Sequence, residues 1–175
     1  MYWPFIDYIA GLFYKDSKIT RNIVSCSHAV SSCILYAVNQ DRMMVNSLTY
    51  FVWDTVYILE QQKMDWLLLW HHMVTNYLLL IEAPKYVKEH VLFILELSNL
   101  PTYVVYHMLK LEKDVRFIRM FQFMWMCYFR VYVMTGILLN ILHAPDITMV
   151  PILLVCLIHI VGINLNVCIL KQILY

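Results

Sequence analysis

Read for where polar residues interrupt apolar ones, the chain falls into six long apolar segments at about 21–38, 44–61, 66–82, 87–110, 117–142 and 147–170. A helix rises about 1.5 Å per residue, and a membrane span needs about 20 residues. The pattern therefore predicts an all-α integral membrane protein with six transmembrane helices, short loops and an interior that the polar exceptions must share. Residues 1–14 are aromatic and broken by Asp7, which predicts a segment lying at headgroup level. The expected division is an interfacial segment over 1–20 and a six-span domain over 21–175.

Composition sharpens this picture. The chain is 62% hydrophobic and 14% charged with a mean hydropathy of +0.64, more apolar than an ordinary soluble domain. A net charge of +1 leaves no basic field for a phosphate backbone, so nucleic acid is not an expected partner. The five cysteines lie inside apolar segments without CxxC spacing and read as small packing residues. The N-terminus has no basic region ahead of its apolar run, so no removable signal peptide is expected. Three glycines give no small-residue seam from which to read an oligomeric state.

Six spans place both termini on one side. Lys15, Lys18, Arg21, Lys63, Lys110, Lys113, Arg116, Arg119 and Lys171 fall on that side, and Arg42, Lys85 and Lys88 on the other. The excess of basic residues predicts cytoplasmic termini.

Ionisable side chains at membrane depth are costly and by default mark a functional site. The adjacent pair His71 and His72 in the third span is the most conspicuous. Counted from each span's cytoplasmic end, His28, Asp54, His71, His72 and Asn164 share a layer roughly 10 Å deep, and Glu96 and Arg130 a second layer roughly 20 Å deep. The second layer predicts a Glu96–Arg130 ion pair, with Asn76 and His159 slightly shallower. Adjacent helical residues point about 100° apart, so His71 and His72 address different places, with Thr75 and Asn76 one turn on. Pro101 frees a carbonyl one turn earlier, for which Ser98 and Asn99 are candidate partners.

In these residues the sequence resembles the TLC-domain family, shared by TRAM translocation proteins, ceramide synthases and related endoplasmic-reticulum proteins. The matching pieces are Ser27-His28-Ala29, Tyr50-Phe51 with Asp54, the His71-His72 pair, Glu96-Leu97-Ser98-Asn99-Leu100-Pro101, and Arg130. The resemblance covers about residues 20–172. It implies a barrel-like helix bundle around a lipid-accessible cavity, in the endoplasmic reticulum or a related endomembrane. Its partners would be membrane lipids, a long-chain acyl chain or a sphingoid-like lipid. For the synthases it implies acyl transfer from acyl-CoA to an amine, with the histidine pair at the reacting centre. The expected site is catalytic His71, His72 and Asp54, supported by His28, Asn76, Glu96, Ser98, Arg130 and Asn164, with acyl-CoA as co-substrate and no resident cofactor. The synthases carry a further acidic motif, His-Asp-x-x-Asp, where this chain reads Glu96-Leu-Ser98-Asn99-Leu-Pro101. That spelling looks like the non-synthase branch, linked to lipid composition, sensing or trafficking.

Two readings thus stand side by side. A neutral imidazole oriented by a carboxylate serves as a general base or acyl acceptor, while the same residues also serve as a polar knot binding helices together. His28, Asp54 and one of the pair are the only set suggesting a metal, and they lack the HxxxH or ExxH spacing that puts two ligands on one helical face.

Overall fold

A computed structural model describes residues 2–60, 66–144 and 147–174. It is helical almost throughout. Among the described residues seven helices follow in order: α1 (Trp3–Phe13), α2 (Ser17–Val38), α3 (Gln40–Glu60), α4 (Trp66–Leu80), α5 (Lys85–Lys110), α6 (Arg116–Leu142) and α7 (Met149–Leu174). α6 is continuous but contains a π-helical segment, Cys127–Val133.

The expected six-span membrane bundle is corrected here. Among the described residues only α6 and α7 are long and apolar enough to cross a membrane by length and composition. The other four expected spans coincide with α2 to α5 but fall short for physical reasons. α4 has 15 residues, about 22 Å of helix. α2, α3 and α5 are long enough, but polar side chains dilute them: Arg21, His28 and six serines and threonines in α2, Asp41, Arg42 and Asp54 in α3, and Lys85, Lys88, Glu89 and Glu96 in α5. Lys63, used in the charge count, lies outside the described residues.

Local signals account for several helix ends. Asp16 caps α2 by accepting from the Lys18 main-chain N–H at 2.8 Å. It also receives Lys110 Nζ at 2.8 Å, tying the start of α2 to the end of α5. This cation and the capping N–H hold the Asp16 carboxyl below its usual range. At the far end, Lys88 Nζ reaches the main-chain oxygens of Leu79 and Ile81, covering carbonyls that the end of α4 leaves open.

α5 stops in a Schellman turn, with Lys113 N–H bonded to Met108 O and Glu112 N–H to Leu109 O, both 3.1 Å. Glu112 takes the left-handed position, φ 54°, where glycine has no steric cost. Glu112→Gly should therefore raise stability by about 1 kcal/mol. An unchanged or lowered melting temperature in mild detergent would contradict that assignment.

Six helices close into a ring. α2 packs on α3, α3 on α4, α4 on α7, α7 on α6, α6 on α5, and α5 back on α2. One half of the interior is filled by Val91, Ile94 and Leu95 of α5, Met134 and Ile141 of α6, and Val155 and Ile158 of α7. The other half is hollow. α1 stands alongside α2 and α3 rather than across the end of the ring. Its Trp3 is fully buried against His28 and Tyr50, and its indole N–H reaches Thr49 Oγ1 at 3.2 Å. Tyr14, just after α1, meets His107 near the end of α5.

Pro101 lies inside an unbroken α5. The carbonyl it frees, Leu97 O, accepts from the indole N–H of Trp125 in α6 at 2.9 Å. Ser98 instead donates to Leu95 O at 2.8 Å. The proline's missing donor is thus answered by a neighbouring helix, not by the nearby residues the sequence suggested.

Candidate functional site

The hollow half of the ring is a cavity of about 640 Å³. It is bounded by the first half of α2, the second half of α3, the middle of α4, the second half of α5, Arg130 and the later part of α7. Ser17, Lys18, Tyr57 and Tyr106 surround the end nearest the helix termini. Of the expected residues, His71, His72, Asp54, Glu96 and Arg130 all line it.

Asp54 is the most heavily engaged of these. The Arg21 guanidinium donates to both its oxygens, Nε to Oδ1 and a terminal nitrogen to Oδ2, each at 2.8 Å. On its other side His72 Nδ1 stands 3.4 Å from Oδ2. Asp54 is 1% exposed and Arg21 21%, so the pair is mostly out of water. Arg21 also lies over the Tyr57 ring. With Asp54 already neutralised by Arg21, His72 has little reason to take a proton. Burial, then the Arg21 and His28 charges, push its pKa down to about 3.

A second histidine–carboxylate pair lies next to the first. His28 Nδ1 is 3.5 Å from Glu96 Oε2, and its Nε2 is 3.1 Å from both Ser47 Oγ and Ser32 Oγ. The His28 ring stacks on Tyr50 at 3.9 Å between centroids. Phe51 meets both His28 and His72 edge-on. His28 is wholly buried and backs the cavity wall rather than lining it.

His71 lines the cavity beside His72. It is less buried than His72, as the 100° divergence requires. Burial, His72 and Arg130 push its pKa down to about 4, with Glu96 opposing. Thr75 bonds the His71 main-chain oxygen at 2.9 Å, not its ring.

Arg130 departs from expectation. Its Nε donates to Ser98 Oγ at 2.8 Å and a terminal nitrogen to Asn99 Oδ1 at 2.5 Å. Among the described residues no carboxylate lies within ion-pair distance of it. The expected Glu96–Arg130 pair is therefore replaced by Glu96–His28 and by a 5% exposed guanidinium held on neutral acceptors. The π segment carries Arg130, and Gly162 of α7 leaves room beside it: a Cβ there would lie 3.4 Å from Arg130 Cβ.

The remaining candidates do not join the cavity. Asn164 faces outward and Asn166 is the buried asparagine of α7, both its side-chain atoms lacking partners among the described residues. Asn76 keeps a buried, unpartnered Oδ1, and His159 lies within reach of Thr135 at 3.2 Å. Ser98 serves by holding Arg130. Among the described residues no three metal-ligating side chains come together.

Sequence reasoning missed Arg21 as a member of the site and treated it only as a loop charge. Arg21, Ser25, His28 and Ser32 recur at spacings of four, three and four, one polar stripe on α2. Ser25 joins it to the rest, since the Tyr50 hydroxyl donates to Ser25 Oγ at 2.8 Å and Ser25 donates to Arg21 O at 3.0 Å.

No protein-family profile, curated protein or solved structure matches the chain.

Proposed function

We propose that the chain is a membrane-embedded protein that takes a long-chain acyl lipid into the ring cavity and transfers an acyl group from acyl-CoA to an amine. The observation that carries this reading is that His71 and a buried guanidinium, Arg130, line the same cavity, Arg130 having no carboxylate within ion-pair distance among the described residues. A buried cation held only on neutral acceptors is expensive. It is well placed to offset negative charge that develops only during reaction. In the proposed step the amine nitrogen attacks the thioester carbonyl and its proton passes to His71. Arg130 offsets the charge on the carbonyl oxygen, the C–S bond breaks, and the proton goes on to the CoA thiolate as the amide remains. His72 and Asp54 act by holding α3 and α4 in place around His71. The resemblance to TLC proteins in these positions supports the same chemistry.

α6 and α7 form a helical pair whose outer ends carry Lys113, Arg116, Arg119 and Lys171, whereas residues 143–148 contain no lysine or arginine. By the positive-inside rule this charge pattern favours cytoplasmic termini, the side from which a CoA thioester arrives. An endoplasmic-reticulum or related endomembrane location belongs to the same reading.

The bidentate Arg21–Asp54 pair favours a second reading, a non-catalytic lipid-binding protein whose polar layer only clamps the ring. Mass spectrometry separates the two. Protein purified in mild detergent is incubated with acyl-CoA and a long-chain amine, and wild type is compared with His71→Ala. An amide product made by wild type and lost in the variant is the expected result. Lipid co-purifying with both forms, with product from neither, would overturn catalysis in favour of the second reading.

A further inference from the structure

A second concavity, about 570 Å³, lies outside the ring between α2 and α5. Ile23, Cys26, Val30 and Ile34 of α2 face Val104 and Met108 of α5 across it. It is apolar where the cavity is polar. Two of its lining residues, Asn22 and Tyr103, also line the cavity. The wall between the two spaces at this point is therefore a single residue thick, made by these two side by side, and Asn22 Nδ2 closes it by donating to the Tyr103 main-chain oxygen at 3.1 Å. That bond ends at a carbonyl of a helix held elsewhere by its own backbone, so it can break without unravelling either helix.

We infer that this groove holds the hydrocarbon chain of the bilayer lipid whose amine head occupies the cavity, and that Asn22 and Tyr103 form the passage between head and chain. From Asn22 to Ile34 the groove follows twelve residues of α2, about 18 Å, the scale of a long alkyl chain. The two compartments match the two ends of an amphiphile, and they meet at the level where its head and chain join. The open outer side lets the chain enter laterally while the head slides past Asn22. The inference rests on the proposed acyl-acceptor reading but concerns a different surface.

A single-chain primary amine bearing a diazirine near its chain end provides the probe. After photolysis in lipid nanodiscs, peptide mapping should place the crosslinks on Val30, Ile34 and Val104. All three side chains are more than 40% exposed, so Val30→Trp fills the groove without disturbing the ring and should reduce those crosslinks at least tenfold. His71→Ala should lose amide product while keeping the crosslinks. Crosslinks spread evenly around the outer surface, or unchanged by Val30→Trp, would overturn the groove assignment, and wild-type amide formation would still stand as its own test of catalysis. If Val30→Trp fails to fold, the wild-type crosslink map alone decides the matter.

Discussion

Asp54→Ala should be the most destabilising single substitution in the cavity wall, costing about 3 kcal/mol. It removes both acceptors of the Arg21 guanidinium and the anion beside His72. The arginine keeps its charge, and with most of its surface covered it can recover water only by leaving the cavity wall. Breaking one partner of a buried pair costs more than replacing the pair, because the orphaned charge stays behind. The double variant Arg21→Met/Asp54→Leu is therefore expected to unfold within about 1 kcal/mol of wild type. Thermal melts of Arg21→Met, Asp54→Leu and the double in mild detergent form the cycle. A double variant as unstable as Asp54→Ala would mean that the two residues do not act as a unit.

Arg130→Met has the opposite profile. The guanidinium is buried, bonded among the described residues only to Ser98 Oγ and Asn99 Oδ1, and methionine fills a similar volume without a charge to desolvate. Stability should stay within about 1 kcal/mol of wild type, since what is lost is two hydrogen bonds and what is relieved is a buried cation. Acyl transfer should fall by about 10²–10³-fold, the usual consequence of removing one group that offsets developing negative charge. Retained transfer in a folded Arg130→Met protein would remove the guanidinium from the reaction. A collapsed protein would assign it a structural role.

The contrast between these residues shows what could be read from the sequence. Helix positions were legible because long apolar runs end at polar breaks such as Asp16, Asn39 and the Leu111–Glu112 turn. Residue count placed His71, His72 and Asp54 in one layer with His28 and Asn164, and Glu96 with Arg130 in a deeper one; the structure instead lines a single cavity with His71, His72, Asp54, Glu96 and Arg130 and leaves His28 and Asn164 out of it. Which side chain pairs with which was not legible. Partner choice depends on rotation about the helix axis, and that is set by packing. In α6 the π segment over Cys127–Val133 breaks the 3.6-residue repeat just where Arg130 sits, so a regular projection aims it wrongly. Asn164 and Asn166 show the same limit in α7, two residues apart with opposite exposure. Membrane crossing was over-read because apolar runs were taken as spans although the polar residues of α2, α3 and α5 keep these helices less apolar than a crossing helix needs.

The seam between α2 and α5 also has a consequence for how the chain comes into being. Helices that adjoin in space here are not always adjacent in order of synthesis: α2 must wait for α5, and α4 for α7. Contacts of such long sequence separation form late. The segment α1–α3, by contrast, has its Trp3 anchor, the His28–Ser32–Ser47 cluster and the Arg21–Asp54 pair within the first 60 residues. A nascent chain can thus assemble a polar half-shell and hold its buried charges paired while the rest is still being made, and the cavity comes into existence only when the last helix docks.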